Sequence, residues 1–399
     1  MANIKTIRNL SWPLMYEAFN QDDLRKVISY LKKGPSIKLT HGQEVLDFEK
    51  KWSKWLGVKY SVMVNSGASA NDLSMKIIRE KFGDGEVIVP PLTWVSDISS
   101  VINSGLDPVF VDINQKSLGM DTEKILAAVT SKTRAIFLTH VLGLNALTDL
   151  LITELRKKKI ALVEDVCESH GAKFKGKKVG TYGLISNFSF YYAHHMTTIE
   201  GGMICTNSTE IYQMARSMRS HGLLRELNNK KLKMQYQQQN PKLNPEFIFL
   251  YPAHNMRPTE ISGILGKNQL KRLDSNIKKR NDNFNYFLSL LNKKIFFTEL
   301  ATSGQSNYAL IVTLKNSDIE LRDNVEKTLK KAGVEFRRGL SGGGNQLRQP
   351  YIQSRIKTVD LKLFPNVEHI HSFSWYIGNY PTLPKSKIKT LAQILNNIK

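Results

Sequence analysis

Apolar residues recur along the chain in two rhythms. Over 21–34, Leu24, Val27, Ile28 and Leu31 fall on one helical face, and Gly34-Pro35 ends the pattern. Val45, Phe48, Trp52 and Leu56 repeat that spacing over 43–56, with Gly57 as the stop. The second rhythm is a set of short runs, apolar almost throughout, at 61–64, 87–89, 108–111, 135–138, 160–163, 185–190 and 203–205. A half-exposed strand would alternate apolar with polar residues. Continuous runs with helices between them predict an α/β fold whose mostly parallel sheet is buried on both faces.

The texture changes after 226. Residues 226–245 are polar and rich in Gln, Asn and Lys, which predicts a loop or lid. An interrupted helix follows over 258–291. Then come a strand at 308–313, a helix at 319–332, a Gly-rich loop at 341–344 and a terminal helix at 385–397. This second half predicts a smaller α+β domain. No low-complexity linker precedes it, so two packed domains are expected, 1–270 with the N-terminal segment and 271–399.

Composition narrows the classes. The chain has 399 residues and two cysteines, Cys167 and Cys205. That excludes a disulfide scaffold, and any zinc site or iron–sulfur cluster drawing four cysteines from this chain. No run reaches the roughly 18–20 apolar residues of a membrane span, and the first residues lack an apolar signal core, so a cytoplasmic location is expected. Lys and Arg number 57 against 35 Asp and Glu, a formal net charge of +22. The basic runs at 156–159, 173–178, 278–280 and 330–338 are scattered and lack interleaved aromatics. They read as solvated faces or an attraction for an anionic small substrate, and nucleic acid is not expected.

Four features stand where α/β sheets place ligands, beyond strand ends. Ser66-Gly67-Ala68-Ser69 joins a strand to a helix, where free backbone N–H groups suit a phosphate or the glycine simply eases packing. Asp165 closes a strand, as a ligand or as a cap. Trp94 follows Pro90-Pro91-Leu92-Thr93, as a stacking surface or as core. His194 and His195 sit in a segment from Ser189 to Gly202 that closes with Glu200-Gly201-Gly202. Adjacent histidines rarely converge on one ion, so no metal site is expected.

In this order and spacing, from about residue 15 to the end, these features resemble the DegT/StrS sugar aminotransferase family of fold-type I PLP enzymes. The resemblance implies that Ser66, Gly67, Ala68 and Ser189 hold the cofactor phosphate. It implies that Trp94 stacks on the pyridine ring and that Asp165 pairs with the pyridine nitrogen; Glu168, three residues past Asp165, either supports that network or has a plain surface or structural role. Asn255, in Asn255-Met256-Arg257-Pro258, would reach the cofactor of a second subunit in a homodimer.

One departure redirects the expected reaction. The family pattern reads Ser-Phe-x-x-x-Lys-x-x-Thr-Thr-x-Glu-Gly-Gly. Counting five forward from Ser189 or six back from Glu200 gives residue 194, and it is His194. An imidazole has no primary amine for a Schiff base but moves protons near neutral pH. The Lys-to-His change, with the run Gly344-Asn345-Gln346-Leu347-Arg348-Gln349-Pro350, resembles the family's PMP-dependent 3-dehydratase subgroup. It implies noncovalent PLP/PMP, L-glutamate as amino donor, and loss of the C3 hydroxyl from a nucleotide-linked 4-keto-6-deoxy sugar, GDP-linked by resemblance. His194 would be the base and acid. His221, Arg257, Arg337 and Arg348 are candidate substrate contacts. Two cysteines favour the glutamate-driven reaction over an iron–sulfur one. An ordinary 4-keto-sugar aminotransferase and a retired PLP-fold binding module are the alternatives. Ala253, where the family usually has Gly, and the long Gly342–Gly344 run are local departures.

Overall fold

The computed structural model describes residues 9–16, 18–356 and 359–398. Residues 1–8, part of the stretch scanned for a signal core, lie outside the described residues. The strands are β1 Tyr60–Val64, β2 Glu86–Val89, β3 Asp107–Phe110, β4 Thr133–Thr139, β5 Ala161–Asp165, β6 Lys173–Phe174, β7 Lys177–Lys178, β8 Ile185–Ser189, β9 Gly202–Thr206, β10 Ala309–Thr313, β11 Phe336–Arg338 and β12 Ser374–Gly378. Among the described residues, a seven-stranded sheet runs in the order β1-β9-β8-β5-β4-β2-β3. Only β9 runs against its neighbours, and β8, β5, β4, β2 and β3 pair in parallel.

The continuous apolar runs have the expected cause. Val87, Val89, Ala135 and Phe137 belong to the core on one face, and Ile88, Ile136 and Leu138 to the core on the other. Both sets are buried, so the middles of these strands are apolar on both faces, and polar residues such as Glu86, Thr133 and Thr139 stand at or near the strand ends. The chain has the expected α/β architecture, a mostly parallel sheet with a packed core on each face. A second sheet, β10-β12-β11, carries the C-terminal part. Residues 10–12 run along its edge: Leu10 N–H donates to Ala332 O at 2.8 Å, and Trp12 Nε1–H to Gly378 O at 2.9 Å. The interrupted helix appears as Glu260–Leu270 and Leu273–Leu290. The latter puts Leu273 and Ile277 into one core and Phe284 and Phe287 into the other. No helix among the described residues is long and apolar enough to cross a membrane.

Two expectations fail locally. The 226–245 stretch holds a helix, Lys230–Gln239, started by Asn229, whose side chain accepts from Leu232 N–H at 3.1 Å. Lys, Leu, Met and Gln lose little freedom in a helix, and a helix with no buried residue leaves no periodicity to detect. The first helix, Gln21–Leu31, forms, but its apolar stripe is not its buried face. Leu24, Ile28 and Leu31 are 47%, 51% and 43% exposed, while Asp23 is buried and accepts from Asn268 and Gln269 and pairs with Arg272. A charged anchor outweighs the apolar pattern there.

Candidate active site

The cleft is built on strand ends. β1 runs out into Ser66, which caps the helix Gly67–Phe82 by accepting Ser69 N–H at 3.0 Å. The helix N-terminus presents backbone N–H groups and the positive end of the helix dipole, which suits an anion. Gly67 is dictated by space: a Cβ there would lie 2.5 Å from Ser189 Cβ and 2.9 Å from its Oγ. The Ser189 hydroxyl, at the end of β8, is thereby pressed against the loop. Gly202 is dictated the same way, since its Cβ would meet Ser66 O at 2.1 Å. The Glu-Gly-Gly closure of the segment is therefore a close-approach requirement.

Asp165 ends β5 and is 3% exposed. Its Oδ1 accepts Cys167 N–H at 2.7 Å, which fixes the carboxylate, and its Oδ2 accepts from Asn71 Nδ2 at 3.2 Å. Asn71, one helical turn past Ser66, also donates to Asp97 Oδ1 at 2.7 Å. Asp97 is fully buried, and burial together with the Asp165 charge raises its pKa well above the carboxylate range. Burial and then Asp165 also push the Cys167 thiol up, so it stays protonated.

His194 is half-buried, and its Nδ1 contacts Cys167 O. A carbonyl accepts only, so Nδ1 carries the proton and Nε2 keeps its lone pair. Burial lowers the ring pKa to about 4, so the imidazole is neutral over the physiological range, the form that can accept a proton. His195 bonds a different partner, Ser306 O, at 2.9 Å. The two rings therefore do not share one direction. Glu168 Oε2 accepts Leu142 N–H at 3.1 Å, and Oε1 accepts from Ser341 Oγ at 3.0 Å. Burial brings its pKa to about 7. Tyr308 packs 5.6 Å from the His194 ring, centroid to centroid.

The small sheet's Gly-rich loop closes on this cleft. Ser341 reaches Glu168, Gln346 N–H donates to Pro91 O at 2.9 Å, and a Cβ on Gly342 would sit 2.0 Å from Thr93 O. Trp94 stands next to that contact, at the N-cap of the helix Val95–Asn103, and is 58% exposed. The structure thus brings Ser66, Gly67, Ser189, Asp165, Glu168 and His194 together. Asn255 and Arg257 lie alongside, because Asn65 N–H donates to Met256 O at 3.0 Å. Arg257 Nε–H donates to Ser220 Oγ at 3.0 Å, beside His221, whose φ is +62°. Arg337 is exposed on β11 across from Tyr376. Arg348 is held by Glu368 at 2.5 Å, so its charge is already matched.

Sequence reasoning missed Asn71, Asp97, Thr93, Tyr308 and the Cys167 carbonyl. Asn71 lay within reach: in a helix that starts at Gly67, the buried face includes Ala70, Asn71 and Ser74, and a polar residue there needs a partner. Nothing local marks Tyr308 or a backbone carbonyl.

A Ser-Gly-Ala-Ser helix start, a buried carboxylate and an imidazole, gathered at the strand ends of this sheet, define a PLP-type sugar aminotransferase scaffold. Residues 18–396 match the model of the DegT/DnrJ/EryC1/StrS aminotransferase family, and the chain belongs to it. It is 33% identical to GDP-4-keto-6-deoxy-D-mannose 3-dehydratase of Yersinia pseudotuberculosis, over 97% of this chain and 98% of that protein. Among solved structures, it superposes on the E. coli GDP-4-keto-6-deoxy-D-mannose 3-dehydratase with bound hydrated PLP at a TM-score of 0.86. That pair shares 29% identity over 96% of this chain and 99% of the other. A GDP-4-keto-6-deoxymannose 3-dehydratase with a trapped PLP–glutamate geminal diamine gives 0.84 at the same identity, over 96% and 100%.

Proposed function

We propose that the chain removes the C3 hydroxyl of a nucleotide-linked 4-keto-6-deoxy sugar, GDP-4-keto-6-deoxymannose by its relatives, using PLP/PMP and L-glutamate. The observation that carries this reading is His194: an imidazole at the lysine position, with Nδ1 fixed by Cys167 O and Nε2 free. The residues present fit the cofactor. The cradle at Gly67 and Gly202 and the hydroxyls of Ser66 and Ser189 suit its phosphate, Asp165 its protonated ring nitrogen, and Trp94 its face. When bound, PLP supplies an aldehyde that carries glutamate's amino group and a ring that draws electrons.

The protein's residues do the rest. Asp165 holds the ring nitrogen's proton in place. His194 Nε2 takes a proton at the cofactor's C4′, and the resulting imidazolium returns it to the departing C3 oxygen. Gly342 and Ser341 hold the small domain over the cleft and limit water. Overall, glutamate supplies two electrons: the sugar loses one oxygen atom, and glutamate becomes 2-oxoglutarate and ammonia. Arg337, Arg257 and His221 are the proposed diphosphate and sugar contacts, and Arg348 joins them by exchanging Glu368. A homodimer in which Asn255 serves the partner's site completes the reading.

Incubation with GDP-4-keto-6-deoxymannose, PLP and glutamate should release ammonia and a sugar lighter by one oxygen. His194→Asn should lower that rate roughly 10²- to 10⁴-fold. His194→Lys should hold PLP covalently and give no deoxygenated sugar. A stable amino sugar from the unaltered chain, or full dehydration by His194→Asn, overturns the proposal.

A further inference from the structure

Asp97 and Asp165 lie in one buried pocket with no cation paired to either among the described residues. Asn71 Nδ2 spans them, at 2.7 Å from Asp97 Oδ1 and 3.2 Å from Asp165 Oδ2. The other Asp97 oxygen, Oδ2, meets two hydroxyls: Thr139 Oγ1 at 2.7 Å, and Thr93 Oγ1. Those hydroxyls are themselves 3.0 Å apart. Three oxygens therefore make three contacts, and the threonines bring only two protons. A third proton, on Asp97 Oδ2, lets every contact carry one: Asp97 to Thr93, Thr93 to Thr139, Thr139 to Asp97. An ionised Asp97 would leave the Thr93–Thr139 contact without a proton and place a second negative charge beside Asp165.

We propose that Asp97 is a positioning residue, held as a neutral carboxylic acid, which leaves Asp165 as the charged carboxylate at the floor of the cleft. This rests on the reading of Asp165 as the partner of the cofactor's ring nitrogen. Two carboxyls sharing one dry pocket do not both ionise, and the proton settles on the member with more acceptors around it. Asp165 takes backbone N–H and amide N–H bonds, which favour the anion. Asp97 faces hydroxyls, which can accept from an acid. Its other titratable neighbours are Cys167 and Tyr351, both shifted upward chiefly by burial. Neither supplies a positive charge.

The sign of the pH dependence follows. An acid whose folded pKa is raised above its ordinary 3.8 keeps, when folded, a proton that the unfolded chain has released. Its contribution therefore reduces stability progressively as pH rises from 3.8 through the raised value. Asp97→Asn replaces a neutral acid with a neutral amide and removes that cost.

The test is infrared difference spectroscopy and thermal unfolding on the full-length chain, without and with PLP. The carboxylic C=O stretch of a buried protonated acid is expected at pH 7 and lost in Asp97→Asn. The melting temperature of Asp97→Asn should lie a few degrees above the wild type at pH 7, and its decline with rising pH should be shallower. No difference band, or a melting curve lowered equally at every pH, overturns the proposal and leaves a plain structural hydrogen bond. Should Asp97→Asn not fold, Thr139→Val is read instead: the acid band shifts as it loses a partner, and an unmoved band overturns the idea. These readouts on the cofactor-free chain decide Asp97 whether or not 3-dehydration is observed.

Discussion

At the scale of single residues, the cleft's chemistry turns on which nitrogen of His194 holds a proton. Cys167 O fixes Nδ1–H, and burial keeps the ring neutral down to about pH 4 instead of 6.5. Proton abstraction by Nε2 should then persist well below pH 6.5 and fail only as pH approaches 4. Single-turnover rates against pH would show this as an acid limb nearer 4 than 6.5, and a limb at 6.5 would contradict it. Stability carries the same signature with a definite sign. Burial lowers the pKa values of His170, His194 and His195. Below about 6.5, the unfolded chain binds protons that these folded rings refuse. The melting temperature should therefore decline as pH falls from 6.5 toward 4. The identity of the residue at 194 was legible in the sequence because Ser189 and Glu200 bracket it from both sides. Its tautomer was not, since a backbone carbonyl 27 positions away leaves no trace in side-chain pattern. Asp97 was hidden for another reason. It lies in a short helix opening, Val95-Ser96-Asp97, where an acid reads as an ordinary first-turn residue.

At the scale of elements, strands were legible and helices were legible where they bury a face. The seven runs became the seven strands of the main sheet; β2 and the middle of β4 are apolar because both faces are buried, whereas β8 keeps Ser186, Asn187 and Ser189, each with a hydrogen-bonding side chain or a place in the cleft. The helix Lys230–Gln239 and the stripe of Gln21–Leu31 failed the same test from opposite sides. One helix buries nothing, and the other buries a carboxylate in place of its apolar stripe. Strands β11 and β12 went unnamed, since Arg337-Arg338 and Tyr376 interrupt any apolar run. The joint between β1, β8 and β9 makes a sharper prediction. Gly67→Ala must displace Ser189, whose side chain a Cβ would approach to 2.5 Å, so overpacking should cost about 1–3 kcal/mol. The damage should be larger for PLP retention than for folding if, as proposed, the displaced hydroxyl contacts the cofactor phosphate. Urea midpoints and PLP absorbance after gel filtration would measure the two separately. A variant that retains PLP as the wild type does would show that the loop does not hold the phosphate.

At the scale of the whole molecule, a positive charge of +22 gave little guidance, while exposed apolar side chains give more. Trp94, Tyr191, Ile199, Phe247 and Phe249 are each at least 40% exposed, a pattern more typical of a surface that another protein covers. Within one chain, Asn255 lies beside the Ser66 loop through the Asn65–Met256 bond, so it could serve either its own cleft or a partner's. Mixed dimers separate these cases. A chain with His194→Asn keeps Asn255, and a chain with Asn255→Ala keeps His194. If Asn255 crosses to the partner, the mixed dimer contains one site with both residues intact, formed by His194 of one chain and Asn255 of the other. Co-expression at equal levels makes half of the dimers mixed, so about a quarter of wild-type activity should return from two chains that are each impaired alone. If Asn255 serves its own cleft, no site in the mixed dimer is whole, and activity should not exceed the mean of the two parents. Light scattering on the same preparations should give twice the chain mass. The charge then has a local use: Arg257 and His221, carried beside Asn255, would meet the substrate's diphosphate at the same boundary, which raised salt would weaken through KM.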